Sequence, residues 1–339
     1  MKRKIEDYSV SDSNLEQKNK PSVTIGMPVF NGEKYLRESI ESILNQTYID
    51  FELIISDNAS SDRTQEICQE YAVKDSRIKY SRNPKNLGGP KNYNRVFELS
   101  SSEYFKWAAY DDVLAPEYLE KCISVLDKDP SIVGCHCKTG RIDQNGTFLG
   151  YYNEGLLKRI SSPKPHERFR DLMGLYYTTT PFHAVYRSSL FAKSQLHGSY
   201  IGADRNLVAE LSLMGRIYEI PETLFFWREH PDSYTQIFYG TRRKHTLDRL
   251  QAESAWWSKE SGTYFPHWKN CVEYFRSVNR IQLKFAERIL CYLQILGWFM
   301  EEGSRFVAMD VMFFLVQHSN FARKAIQKIP TSLRNRFIP

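Results

Sequence analysis

The chain has 339 residues, 42% hydrophobic and 25% charged, with 17 Gly and 14 Pro. Those fractions exclude collagen-like, low-complexity and wholly disordered chains, and the length suggests two structural units or one large unit with an appendage. Its 46 Lys and Arg against 40 Asp and Glu leave +6, too small a surplus, if spread evenly, to point to nucleic acid.

The first twenty residues mix both charge signs without the apolar core of a secretory leader, and read as a mobile tail. Val23-Thr24-Ile25-Gly26-Met27 is an apolar run ended by Pro28, which predicts a buried strand over 23–27, with a turn at Asn31-Gly32-Glu33. Leu36, Ile40, Ile43 and Leu44 then recur at helical spacing. A second strand is predicted over 51–56. Asp57-Asn58-Ala59-Ser60-Ser61-Asp62 ends it and caps a helix whose Ile67 and Tyr71 face inward. A weaker strand spans 78–80, and a turn-rich loop over 83–90 leads to a helix over 94–99. A strong strand over 104–108 follows, with Asp111-Asp112 just past its end, and Ala115-Pro116-Glu117 opens another helix. Alternation at this pitch predicts a parallel α/β sheet, because parallel neighbours need crossover connections.

Beyond Gly150 the alternation weakens into a mixed region reaching about Gln236, and a boundary is expected near Gly240. Six cysteines in so long a chain make no disulfide framework. Cys135-His136-Cys137 lacks a second Cys/His pair at metal-finger spacing and lies on an alternating stretch over 132–137, so its thiols are expected to pack in a strand. Asn145-Gly146 reads as a hairpin turn.

In an open parallel sheet, ligands bind at the carboxyl ends of the strands. Three polar constellations fall there: Phe30-Asn31-Gly32-Glu33, Asp57-Asn58 and Asp111-Asp112. Neither G-x-G-x-x-G nor G-x-x-x-x-G-K-[ST] follows the first strand, which argues against a dinucleotide dehydrogenase and a P-loop NTPase. Carboxylates without a glycine cradle must neutralise phosphate otherwise, most simply through a divalent cation on Asp111 or Asp112.

The stretch from Val23 through Pro28 to Gly32, then Ile54-Ile55-Ser56-Asp57-Asn58 with Asp62, resembles the opening of a family-2 glycosyltransferase with the GT-A fold. Asn86-Leu87-Gly88 with Asn94, Tyr110-Asp111-Asp112 with Pro116, Gly202-Ala203-Asp204-Arg205 and Arg228-Glu229-His230 continue the match in order, over about 21–236. The resemblance implies an α/β, Rossmann-like, mostly parallel sheet flanked by helices, with a helical C-terminal extension. It implies a GT-A domain over 21–239, with a donor half of about 21–115 and an acceptor half of about 116–239. It further implies inverting transfer of a sugar from a nucleotide-diphosphate donor, foremost a UDP-sugar, to a hydroxyl of a glycan or lipid-linked acceptor in cell-surface polysaccharide synthesis.

Residue by residue, the resemblance implies that Pro28, Phe30 and Glu33 line the nucleoside pocket, that Asp57 accepts a hydrogen bond from the base edge, and that Asn94 approaches the donor. Asp111-Asp112 correspond to the donor-binding acidic motif that holds Mn or Mg. Ala109 stands where family members often carry Asp, so the metal rests on Asp111 and Asp112 alone. A non-catalytic subunit that binds a sugar nucleotide or glycan stays open as the alternative. Inversion needs a base opposite the leaving diphosphate, and a carboxylate suffices. Asp204 sits where the resemblance implies that base; as a helix N-cap it would also be well used. The leaving diphosphate gains charge, so cations belong beside it, and Arg228 and His230 are the candidates.

From Trp256 the chain becomes aromatic, and apolar runs at 289–300 and 306–316 are too short to span a bilayer comfortably. They read as helices packed on the catalytic domain or on a second copy of the chain (a homo-oligomer), or as helices lying in a membrane interface. Residues 311–339 carry five basic and no acidic residue and so supply +5 of the net charge; the first twenty add +1, leaving 21–310 neutral. That favours an anionic membrane surface as a partner of the tail, with the enzyme in the cytoplasm or at the inner face of the plasma membrane, and no nucleic-acid partner.

Overall fold

A computed structural model of the chain describes residues 20–152, 160–173, 180–200, 202–233 and 265–305, together with 307, 308, 310, 311 and 314. The expected boundary at 239/240, the N-terminal tail and the basic run after 314 lie outside the described residues.

The first half alternates as the sequence predicts: β1 (Val23–Val29), α1 (Leu36–Leu44), β2 (Phe51–Asp57), α2 (Thr64–Lys74), β3 (Ile78–Arg82), α3 (Gly89–Glu98) and β4 (Tyr104–Trp107). These four strands are parallel in the order β3-β2-β1-β4. Every residue of β1, β2 and β4 is buried, as expected of strands covered on both faces. Gly26 lets α3 press on the centre of the sheet, since a Cβ there would lie 2.7 Å from Val96 Cγ2 and 2.9 Å from Phe105 Cζ.

Two boundaries differ from expectation. Pro28 does not end β1. Its even-numbered neighbour Gly26 bonds toward β4 through Ala108 N–H, so the missing N–H of Pro28 faces the side where β4 has already stopped, and no ladder bond is lost. Helix α3 begins at Gly89, five residues before Asn94, because Pro90 sits in its first turn, where an absent N–H costs nothing.

The second half adds β5 (Val113–Leu114), α4 (Tyr118–Lys128), β6 (Ile132–Ile142), β7 (Phe148–Tyr151), α5 (Pro165–Met173), β8 (Val185–Arg187), α6 (Ser188–Phe191), α7 (Ala203–Met214) and β9 (Arg216–Arg228). The sheet continues β4-β8-β6-β9-β5, with β7 on β6 through the turn around Gly146. Here parallel β6–β9 pairing mixes with antiparallel joins. Cys135, His136 and Cys137 are buried in β6.

Helices α8 (Pro266–Arg280) and α9 (Phe285–Trp298) close the described fold. They share one hydrophobic core with the sheet layer: Tyr274, Val278, Cys291, Ile295 and Trp298 pack with Phe169, Leu172, Leu207 and Leu211. Of the alternatives open in the sequence for 289–300, α9 packs one face on the rest of the fold; most of the run 306–316 lies outside the described residues.

Candidate active site

The site is assembled at the carboxyl ends of β1, β2 and β4. There the chain passes from β1 to β2 on one side and reaches β4 on the other, the kind of switch point that opens a crevice in such sheets.

The loop after β1 is stitched to the loop after β2. Asn31 N–H donates to Ser60 Oγ at 2.9 Å, Gly32 N–H to Thr64 Oγ1 at 2.8 Å and Glu33 N–H to Asp62 Oδ2 at 3.0 Å. In return Ser61 N–H donates to Asn31 Oδ1 at 2.9 Å and Arg63 N–H to Glu33 Oε2 at 3.0 Å. Asn31 (φ 52°) and Ala59 (φ 61°) adopt left-handed backbone at these two turns, a conformation that persists where surrounding bonds over-determine it. Gly32 is held to glycine by proximity, since a Cβ there would meet Val29 Cγ2 at 2.6 Å and Tyr110 Cδ2 at 2.9 Å.

Pro28 is thus buried in β1, Phe30 stands 39% exposed at the rim, and Glu33 is exposed with one carboxylate oxygen on the start of α2. Burial raises the Asp62 carboxyl, but the Thr64 hydroxyl and the N–H groups of Glu33 and Thr64 outweigh it and hold Asp62 below its usual range.

Asp57 is fully buried. Its Oδ2 accepts from Tyr80 Oη at 2.8 Å and Arg82 Nη1 at 2.5 Å, and its Oδ1 from Ser60 N–H at 2.8 Å. The Asx-turn and a charged partner are therefore both present, and a base edge would share a carboxylate already held from three sides. Tyr80 and Arg82 did not stand out in the sequence; continuing the alternation of β3 by two residues would have put both on one face. Arg82, Lys91 and Arg95 line a cleft of about 390 Å³ with Asn83 and Leu87.

Asn94 also borders that cleft, but its amide is committed elsewhere. Its Nδ2 donates to His197 O at 3.0 Å and its Oδ1 accepts from His197 N–H at 2.8 Å. Through these bonds it fixes the segment that leads into α7.

The acidic loop divides its two carboxylates. Asp112 is buried and accepts from Arg228 N–H at 3.0 Å, while Asp111 keeps 15% exposure and places Oδ2 2.9 Å from His230 Nε2. The two side chains part at the bend there, and only Asp111 remains open toward the crevice. Burial, and next the Asp111 charge, raise the Asp112 carboxyl well above the usual range. Asp112 is therefore not presented as a metal ligand. Among the described residues no three His, Cys, Asp or Glu side chains gather as a metal site.

Arg228 and His230 hold this loop from behind. Arg228 is 1% exposed; its Nε donates to Asp111 O at 2.8 Å, its Nη1 to Asp143 O at 3.2 Å, and its guanidinium pairs with Glu38 at 2.6 Å. The Tyr35 ring lies 5.1 Å under Arg228 and 4.5 Å from the His230 ring. Both residues thus shape the loop that carries Asp111, Arg228 through its guanidinium on Asp111 O and His230 through Asp111 Oδ2.

Asp204 is the second residue of α7. Gly202 (φ 80°), not Asp204, occupies the cap position. In the first turn the carboxylate still benefits from the positive end of the helix. Nearby, burial and then the charges of Asp111 and Asp112 raise the Tyr93 phenol above its usual range. Tyr93 belongs to an aromatic cluster in which Trp107 Nε1 donates to Tyr93 O at 2.8 Å and Trp107 stacks on Phe182 at 4.8 Å. His183 joins that cluster, with burial foremost pushing its imidazole down to about 3.

Comparison with known proteins agrees with this geometry. The profile of glycosyl transferase family 2 matches residues 24–194, half of the chain. An uncharacterized glycosyltransferase of Haemophilus influenzae is 28% identical over 244 residues, covering 70% of this chain and 74% of the relative. One from Methanocaldococcus jannaschii is 31% identical over 181 residues, or 52% and 58% of the two chains. Among solved structures, residues 1–349 of S. aureus TarS in complex with UDP superpose with a TM-score of 0.58 at 17% identity, covering 89% of this chain and 82% of that one. The TarS complex with UDP-GlcNAc gives 0.59, also at 17% identity. The fold is the GT-A glycosyltransferase fold.

Proposed function

The chain belongs to glycosyl transferase family 2, and on that premise we propose that it transfers a sugar, with inversion, from a UDP-sugar to a hydroxyl of a glycan or lipid-linked acceptor. The product belongs to a cell-surface polysaccharide made from the cytoplasmic side. The observation that carries the reading is the acidic loop past the end of β4, where Asp112 is buried while Asp111 stays partly exposed with Oδ2 2.9 Å from His230 Nε2.

In this reading Phe30 and the stitched loops hold the nucleoside, with Arg82 and Asp57 beside the base. Asp204 takes the proton from the acceptor hydroxyl as that oxygen attacks the anomeric carbon from the face opposite the diphosphate, which leaves with the bonding pair. TarS, a neighbour in fold, binds UDP and UDP-GlcNAc, which supports a uridine donor.

The family implies Mn or Mg. The residues fit an ion that takes a carboxylate from Asp111 and completes its shell with donor phosphate and water, as such ions commonly do. His230, whose buried Nδ1 has no hydrogen-bond partner among the described residues, orients that carboxylate. When bound, the ion neutralises the diphosphate.

Incubating the full chain with a panel of nucleotide sugars and Mn, and measuring nucleotide diphosphate release with and without glycan acceptors, tests the reading. Acceptor-stimulated UDP release from one UDP-sugar supports it. Donor binding without release under any condition returns the chain to the non-catalytic alternative.

A further inference from the structure

Helix α9 presents two opposite apolar faces, and only one of them is covered. Cys291, Ile295 and Trp298 point into the core. At 100° per residue, Phe285, Ile289, Leu290, Leu293, Leu296 and Met300 fall on a single arc of about 140° on the other side. All six are exposed, from 36% at Leu290 to 79% at Phe285. The only other residues on that arc are Ala286 and Gly297, so no polar or charged side chain interrupts it. A contiguous apolar surface of this kind marks a contact with something outside the folded body.

We propose that this face of α9 seats on an anionic lipid surface, lying in the plane of the interface. Charge selects the occupant. Beyond α9, Glu301, Glu302 and Asp310 face a single Arg305, but residues 311–339 then carry five Lys and Arg and no acidic residue, while residues 21–310 are formally neutral. A second copy docked on the same face would bring two such +5 segments together. An anionic bilayer supplies the opposite charge to the segment and an apolar layer to the arc at once. No helix among the described residues is long and apolar enough to cross a membrane, so the contact is one of surface depth. The proposal stands on α9 and its flanking charge alone.

Flotation of the full chain with vesicles of phosphatidylglycerol and phosphatidylcholine, against phosphatidylcholine alone, reads the contact directly. The chain should float with the anionic vesicles, lose most of that binding at high salt, and bind neutral vesicles far less. Leu293→Glu, at an exposed position, should lower the bound fraction about tenfold or more while keeping the thermal melt and donor-induced stabilisation of the unchanged chain. Failure to float, equal flotation with neutral vesicles, or flotation of Leu293→Glu equal to that of the unchanged chain would overturn the proposal. So would a lipid-free dimer in analytical ultracentrifugation that Leu293→Glu turns into a monomer, since the face would then belong to a second copy.

Discussion

Arg228 donates from Nε to the main-chain carbonyl of Asp111 at 2.8 Å, and its own N–H donates to the carboxylate of the next residue, Asp112, at 3.0 Å. One buried arginine at the end of β9 therefore sets the path of the acidic loop at the end of β4, two elements far apart in sequence. Lysine at 228 would keep the charge but cannot reach Asp111 O, Asp143 O and Glu38 with one ammonium. Arg228→Lys should lower stability by about 2–3 kcal/mol in urea unfolding and raise the donor KM at least tenfold. Glu38 is half exposed, so Glu38→Gln should cost under about 1 kcal/mol. A lysine variant with unchanged melt and KM would remove Arg228 from this role.

The divergence of Asp111 and Asp112 gives two isosteric substitutions opposite outcomes. Asp111→Asn removes the open carboxylate, and should abolish any stimulation by Mn and weaken donor binding by an order of magnitude or more. Asp112→Asn keeps an oxygen for Arg228 N–H and removes a carboxyl already inclined to be neutral, so stability should change by less than about 1 kcal/mol. Its response to Mn should persist. Titrating activity with Mn for both variants separates them, and equal loss in both would restore Asp112 as a ligand.

Asp204 is the base of the proposed reaction, and the test is a split between binding and turnover. Asp204→Asn should reduce acceptor-dependent UDP release by about a thousandfold and leave the donor dissociation constant within a factor of about two, as measured by calorimetry. Turnover near that of the unchanged chain would exclude Asp204.

The parallel half of the fold and its loops were legible because β1, β2 and β4 are short, mostly apolar runs followed by turn residues, a local signal. Asp57, Asp111 and Asp204 could be located for the same reason, each standing just past a strand end or at a helix start. What the residues at those places do was less legible, because it depends on partners remote in sequence. Nothing local to Asn94 shows that His197 takes its amide, or that Arg228 and His230 face the back of the acidic loop. Pro28 misled because a proline ends a strand only where its N–H would have been paired, and that depends on where β4 stops. The shared core of α8 and α9 with α7 was equally hidden, since it joins segments over 60 residues apart.

The loop stitching predicts acid sensitivity. Asp62 titrates below its usual value near 3.8 in the folded chain, so there the unfolded chain binds the proton more readily. The stability it contributes is complete above about pH 5 and is lost as pH falls through 3.8 and below. Asp62→Asn should remove part of that dependence. Equilibrium urea unfolding between pH 3 and 6 checks it, and parallel curves for both chains would show that the stitch contributes nothing measurable.

Lys106 gives the converse dependence. It is fully buried in β4, with its ammonium on His183 O, which also accepts from Tyr118 Oη, and with the Tyr118 and Phe225 rings at 4.8 and 5.3 Å. Burial pushes it from 10.5 down to about 8. Between those values the unfolded chain holds a proton that the folded chain releases, so folding stability owed to this group rises with pH from about 8 and levels off above 10.5. Below pH 8 the ammonium is charged in the core and costs stability that two rings and one carbonyl only partly offset. Lys106→Met fills similar volume without the charge. At pH 7 it should melt at or above the temperature of the unchanged chain, and the rise between pH 8 and 10.5 should flatten. If the methionine variant instead melts well below the unchanged chain at pH 7, the bond to His183 O outweighs the desolvation, and Lys106 is a net stabiliser of the turn at Thr180–His183.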